Sequence, residues 1–231
     1  MRHIVLDTET TGLDFRTGDR VVEIGCIEMC GRQRTGRKFH TWLNPGREVG
    51  AGAVAVHGLT TEFLSDKPSF LQVADEFIEF VQGAELIIHN APFDTGFLNN
   101  ELALTGRSGL NELCPAIIDT LLLARNQRPG PKNNLDALCV EFGIDNSRRQ
   151  LHGALRDAEL LADVWLSMTR GQETLVLDPD TRPTEPQTAQ ARRMPLAVLT
   201  ATDAELLQHE SVLAGIDKES KGCCVWLAKD T

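Results

Sequence analysis

The feature that most constrains this chain is a pair of acids ending an apolar run, where Ile4-Val5-Leu6 leads into Asp7-Thr8-Glu9. Such a run favours a strand, and strand side chains alternate between faces, so Asp7 and Glu9 project from one face of one strand. Two carboxylates held that close repel each other unless a cation stands between them. Acids are also disfavoured in strand interiors, which sets this pair apart from an ordinary polar strand end. Two further motifs follow in order: His89-Asn90-Ala91-Pro92-Phe93-Asp94, and His152-Gly153-Ala154-Leu155-Arg156-Asp157. Asp7, Glu9, Asp94 and Asp157 together make an oxygen-rich site suited to Mg²⁺ or Mn²⁺. His152, in a short link containing glycine, is placed to accept a proton from an activated water.

Charge narrows what such a chain can do alone. Its 231 residues carry 23 basic and 33 acidic groups, net −10, divided as −6 over residues 1–170 and −4 over 171–231. Unaided grip on nucleic acid needs a basic face whose lysines and arginines displace phosphate counterions, so weak independent binding to DNA is expected. The length allows one ordinary domain and a smaller appendage. Met1-Arg2-His3 runs straight into the first strand, and no apolar run reaches the roughly 18 to 20 residues of a membrane span, so a soluble, cytoplasmic protein is expected. Cys26 and Cys30 are the nearest approach to a zinc half-site but have no second pair. With Cys114, Cys139, Cys223 and Cys224 they read as buried thiols of a reducing compartment.

Hydrophobic periodicity predicts strands over 3–7, 21–29 and 37–43, the last two forming an antiparallel hairpin through a turn from Gly31 to Gly36. A helix over 69–81, with Phe70, Val73, Phe77 and Val81 at helical spacing, precedes a short buried strand over 85–89. Next come a helix carrying Asp94, Phe97, Leu98 and Leu102, a strand or turn over 116–119, and helices near 121–124, 135–142 and 153–169. The pattern is that of an α/β domain with a mixed sheet. Asp94 also suits the cap of the helix following Pro92, since aspartate is favoured there. Asp119-Thr120 repeats the first dipeptide without a second acid and reads as a turn and cap.

The three acidic motifs, in this order, resemble the DnaQ-like 3′→5′ exonucleases with a four-acids-plus-histidine signature, and among them the proofreading epsilon subunits of bacterial replicative DNA polymerase. The resemblance implies a ribonuclease H-like mixed sheet flanked by helices. It also implies two divalent cations, about 4 Å apart, held by Asp7, Glu9, Asp94 and Asp157, with His152 as general base. Mispaired nucleotides would leave a single-stranded or frayed 3′ end of DNA as 5′-mononucleotides. Thr10, Asn90 and Phe93 are candidates for holding the terminal nucleotide. His57, in Val56-His57-Gly58-Leu59, resembles a family position contacting that nucleotide, with a packing role as the alternative. An RNA-trimming exoribonuclease of the same superfamily is the alternative function, because discrimination at a 2′-hydroxyl depends on pocket contacts. A non-catalytic adaptor fits poorly, since all five catalytic positions are present. Two departures from the family pattern stand beside the motifs: Pro92, where a small residue is usual, and Arg156, where an apolar residue is common.

The tail adds partners. Gln172-Glu173-Thr174-Leu175-Val176-Leu177 resembles the motif that bacterial replication proteins insert into the sliding clamp, with Gln172, Leu175 and Leu177 as its contacts. Residues 178–195 lack aromatics and contain Pro183, Pro186 and Pro195, the composition of a flexible linker. Beyond it, Thr202-Asp203-Ala204-Glu205 has the form of a capping box, Leu206, Leu207 and Leu213 form an apolar stripe, and the run through Trp226 suggests a strand. So short a segment cannot bury this surface alone. By resemblance, the polymerase catalytic (alpha) subunit covers it through Leu206, Leu213 and Trp226; folding back on the exonuclease domain is the alternative. The organisation expected is an exonuclease domain over 1–170, a clamp motif and linker over 171–195, and a polymerase-binding segment over 196–231.

Overall fold

In a computed structural model, residues 1–130, 132–147, 151–170, 201–220 and Trp226 are described. The chain divides into two units, Met1–Leu175 and Val176–Thr231. Among the described residues of the first unit, five strands form one sheet: β1 (Arg2–Thr10), β2 (Val21–Cys30), β3 (Gln33–Trp42), β4 (Glu85–Ile88) and β5 (Ile117–Asp119). Their order is β3-β2-β1-β4-β5. β2 is antiparallel to both β1 and β3, whereas β4 is parallel to β1 and β5 to β4. From central β1 the chain leaves towards β2 on one side, and β4 lies on the other. A crevice therefore opens at the carboxyl ends of β1 and β4, the usual place for a site in such a sheet.

The helices are α1 (Ala51–His57), α2 (Thr61–Leu64), α3 (Phe70–Val81), α4 (Ala91–Leu104), α5 (Leu110–Leu113), α6 (Thr120–Gln127), α7 (Leu135–Phe142) and α8 (Ala154–Met168); α9 (Asp203–Glu219) belongs to the second unit. On one face of the sheet Ile4, Leu6, Ile24 and Leu86 pack against Phe77 of α3 and Phe97 of α4. On the other, Val5, Ile27 and Ile87 meet Leu138 of α7 and Leu161 and Val164 of α8. Because β1 is covered on both faces it reads as a continuous apolar run. The same alternation sends Thr8 and Thr10 towards the α3–α4 layer and Asp7 and Glu9 towards α8.

Several local expectations change. The hairpin turn is only Gly31-Arg32, with Gly31 at φ 58°, and Gly36 lies inside β3. There the register shifts between Ile27 and Met29, and Gly36 at φ 85° accommodates the irregularity. Cys26, Cys114 and Cys139 are buried as expected, but Cys30 is exposed at the end of β2. The short helices α1, α2 and α5 and the 3-10 turn Phe15–Thr17 had no periodic signal, being too short to display one.

In the second unit, the capping box forms: Thr202 N–H donates to Glu205 Oε2 at 2.8 Å, and Glu205 N–H to Thr202 Oγ1 at 3.4 Å. Trp226 is exposed in a turn. Cys223, Cys224, the rest of the expected strand, the clamp motif and the linker lie outside the described residues.

Candidate active site

Asp7, Glu9, Asp94, His152 and Asp157 all line one cavity of about 700 Å³ at the carboxyl ends of β1 and β4. Each arrives by a different device. Asp7 stands opposite Gly25 in the β1–β2 register. A Cβ on Gly25 would come within 2.2 Å of the backbone nitrogen of Leu155 and 2.3 Å of the carbonyl carbon of Ala154, so the first turn of α8 rests directly on that glycine. This close approach brings Asp157, buried in the same turn, over the sheet. Ligand atoms of Glu9, His152 and Asp157 then fall within 4.8 Å of one another. His152 Nδ1 lies 3.3 Å from Asp157 Oδ2, with the histidine side chain 45% exposed. Its loop is anchored by the His152 N–H, which donates to the Val56 carbonyl at 3.1 Å.

Asp94 comes from the opposite layer, in the first turn of α4, and is buried. The Thr8 N–H and Oγ1 both donate to its Oδ1, at 3.0 and 2.7 Å. Burial, aided by nearby Asp119 and only partly offset by the hydrogen bonds to Thr8, pushes the Asp94 carboxyl up to about 7. The far end of α4 is fastened by buried Glu101, which accepts from Arg20 Nε and Nη2 at 2.7 and 2.6 Å and from Val21 N–H at 3.2 Å. Its near end is set by Asn90, the one non-glycine residue at positive φ (67°) among the described residues. Asparagine tolerates this left-handed conformation, and the kink aims the first turn of α4 at the cavity. Asp119 Oδ1 accepts the Asn90 N–H at 3.2 Å while capping α6 through Leu121 and Leu122. It is thus the expected cap and also a brace. Pro92 sits in the first turn of α4, where its missing N–H costs nothing. Arg156 pairs with Glu159 at 3.3 Å.

A second cavity, of about 520 Å³, shares Thr8, Glu9 and Phe93 with the first and is otherwise lined by Thr10, Leu13, Val56 and His57 among others. Phe93 packs on Phe97 with ring centroids 4.9 Å apart, and Leu13 is 87% exposed at the lip. His57 is buried, with Nδ1 accepting from Leu59 N–H at 3.0 Å and Nε2 3.2 Å from the Thr10 carbonyl. This fixes the neutral tautomer with the proton on Nε2, and burial lowers the pKa of the ring. Both nitrogens are committed to backbone, so His57 meets this cavity as a wall that holds Thr10. Thr10 Oγ1 in turn donates to the Gly12 carbonyl at 2.6 Å.

The exonuclease family matches residues 4–165. The DNA polymerase III subunit epsilon of Escherichia coli K12 is 44% identical over 98% of this chain and 98% of its own length. This chain belongs to the exonuclease family, among the epsilon subunits. The corresponding subunit of Rickettsia felis is 48% identical, over 94% of this chain and 98% of that one. Exonuclease X, solved with 5′-overhanging duplex DNA, shares the fold at TM-score 0.56 and 24% identity, covering 72% of this chain and 90% of that chain. E. coli exonuclease I, solved with single-stranded DNA, does so at TM-score 0.65 and 19% identity, covering 74% of this chain and 41% of that one.

Exonucleases of this family work with divalent metal ions, and this site suits them. Glu9, Asp157 and His152 come together within 4.8 Å, Asp7 and Asp94 line the same cavity outside that group, and burial has driven the Asp94 carboxyl towards its neutral form, a penalty that a bound cation reverses. Several residues that build the site carry no motif of their own: the Arg20–Glu101 pair, Leu13 at the lip, and Arg125 and Lys132 on the wall of the larger cavity; Thr8 lies within the first motif, but its hold on Asp94 has no signal in the sequence. Gly25 is the exception, because a glycine inside an apolar strand signals close approach by another backbone. No helix among the described residues is long and apolar enough to cross a membrane.

Proposed function

We propose that this chain is the proofreading 3′→5′ exonuclease of a replicative polymerase, removing mispaired nucleotides from the 3′ end of DNA. The observation that carries this is the convergence of Asp7, Glu9, Asp94, Asp157 and His152 on one cavity, in a chain 44% identical end to end to an epsilon subunit. The four acids would hold two Mg²⁺ or Mn²⁺ ions. When bound, such cations activate water and draw charge from the scissile phosphate. His152 takes the proton from the attacking water, and Asp157, 3.3 Å from Nδ1, keeps the ring turned towards the site. Thr8 fixes Asp94 through two hydrogen bonds. The smaller cavity takes the terminal nucleoside, with Phe93 and Leu13 against its apolar faces, Thr10 near its polar edge and His57 supporting Thr10, while Asn90 meets it from the wall of the larger cavity. Threading a 3′ end into this site requires an unpaired strand, so mismatches are selected because they fray.

The proposal extends to partners. Leu206, Leu213 and Trp226 in residues 196–231 bind the polymerase catalytic (alpha) subunit, and Gln172, Leu175 and Leu177 bind the sliding clamp, all in the cytoplasm. Weak DNA binding by a chain of net charge −10 is consistent with an enzyme that its partners hold at the primer terminus.

The test is release of nucleoside monophosphates from matched DNA and RNA oligonucleotides with Mg²⁺ or Mn²⁺. Asp7→Ala and Asp157→Ala should each lower release from DNA about a thousandfold, on the order of 4 kcal/mol of transition-state stabilisation. His152→Gln should lose most of the rate and the acidic limb of the pH profile. Retention of a tenth of the activity in either acid variant, or faster digestion of RNA, would overturn the assignment.

A further inference from the structure

The geometry points to a phosphate track formed by Arg125 at the end of α6 and Lys132 just before α7, which hold the backbone of the single strand upstream of the scissile bond. This rests on the function proposed above and adds where the rest of the strand runs. The two cavities meet at Thr8, Glu9 and Phe93, and their walls differ in charge. In the smaller, the only carboxylate or ammonium-type side chain among the described residues is Glu9, beside glycine, alanine, valine and leucine, which suits a nucleoside and repels a string of phosphates. In the larger, Asp7, Glu9, Asp94, Asp157 and Asp136 line the wall, and among the described residues Arg125 and Lys132 are its only lysine or arginine side chains. Asp136, the acid nearest Lys132 in sequence, accepts from Asn146 Nδ2 at 3.2 Å.

Both cations are exposed, and among the described residues neither forms an ion pair. Arg128, between them in the chain, is by contrast held by Glu141 at 2.9 Å. A strand whose terminal nucleoside fills the smaller cavity crosses the acids at its scissile phosphate and leaves through the larger one. There each further phosphate faces carboxylates unless a cation intervenes. The three acidic motifs cannot supply that cation, and a chain of net charge −10 offers few others. Arg125, projecting from the last turn of α6, and Lys132, just before α7, stand on the wall where that strand emerges. Arginine and lysine bind phosphate independently of sequence, as proofreading requires.

The experiment uses the full chain with two substrates: the p-nitrophenyl ester of thymidine 5′-phosphate, which has one phosphate, and an oligothymidylate of about ten nucleotides. For Arg125→Ala with Lys132→Ala, KM for the oligonucleotide should rise about tenfold with kcat unchanged, while KM for the ester changes less than about twofold. The slope of log(kcat/KM) against log salt for the oligonucleotide should flatten by about 0.7 for each phosphate contact removed. Arg125→Lys with Lys132→Arg should restore KM and slope. Equal losses on both substrates, or an unchanged salt slope, would overturn the track. A lower melting temperature with unchanged KM would also overturn it, assigning Arg125 to the C-terminal dipole of α6. An inactive wild type on both substrates would instead remove the proposed function itself.

Discussion

Helices α8 and α9 span Ala154–Met168 and Asp203–Glu219, similar lengths, yet they differ in everything that depends on a neighbour. Locally α9 is the better marked, with Thr202 and Glu205 in a reciprocal capping box; α8 begins at Gly153 with no side-chain cap. α8 nonetheless buries eight residues, Asp157 among them, and α9 buries none. Leu206, Leu207, Val212 and Ile216 of α9 are 50, 68, 59 and 43% exposed. Caps and periodicity start a helix, but its stability comes from whatever covers its apolar side. For α8 that cover is Val5, Ile27 and Ile87 of its own sheet.

If that contrast holds, α8 should be far more sensitive to substitution than α9. Gly25→Ala puts a methyl group 2.2 to 2.4 Å from the α8 backbone, which has no flexible side chain to yield. The expected cost is about 3 kcal/mol, the upper end of overpacking effects. That is a fall of roughly 6 to 12 °C in melting temperature for a domain this size. Activity should fall with it, because Asp157 and His152 move together. A variant with unaltered melting temperature and rate would show that α8 is not seated by this contact.

Asp94→Asn sharpens the comparison from the other layer. Burial pushes the Asp94 carboxyl up to about 7 in the folded metal-free protein, from an ordinary value of 3.8. Below about pH 4 both states hold the proton and the residue is neutral towards stability. Between those values the folded state keeps a proton the unfolded chain has lost, so stability falls as pH rises, and above about 7 the whole penalty is present. The uncharged amide of the variant escapes it while still accepting from Thr8. In chelator at about pH 8 the variant should therefore unfold on the order of 2 kcal/mol less readily than wild type, with no difference near pH 4. Mg²⁺ or Mn²⁺ should stabilise wild type and erase the gap. Thermal melts across pH measure this, and a variant less stable than wild type at pH 8 would contradict the burial argument.

The smallest effect belongs to α9. Leu206→Ser with Ile216→Ser should change the stability of the free protein by less than about 0.5 kcal/mol, since neither side chain is buried. Hydrolysis of short DNA should be unchanged, yet co-elution with the polymerase catalytic subunit should be lost. Retained co-elution would move that contact off α9.

Much of the fold was legible because its strands and longer helices announce themselves locally. The helix at 135–142 was placed with its observed bounds, Leu135–Phe142, and β1, β2, α3 and α8 to within a few residues. β3 was shortened because Gly36 reads as the end of a turn when only sequence neighbours are considered; its place in the ladder depends on pairing with β2. His57 looked equally suited to contact or packing. That Leu59 N–H and the Thr10 carbonyl stand at its two nitrogens, while the ring lines the smaller cavity, is visible only in the tertiary structure.

By itself the sequence determined the chemistry available: two acids on one strand face, a third at the start of a helix, a fourth after a histidine, and a capped amphipathic helix in the tail. Those follow from spacing, since strand and helix periods are fixed by backbone geometry. Tertiary structure alone decided that Asp94 approaches from the opposite layer to Asp157, that Gly25 yields its space to α8, that Glu101 locks Arg20, and that α8 is covered while α9 is not. These are relations between segments far apart in the chain, as Gly25 and Leu155 are, 130 residues from each other. They are set by which surfaces exclude water together, a property that no single stretch of chain carries.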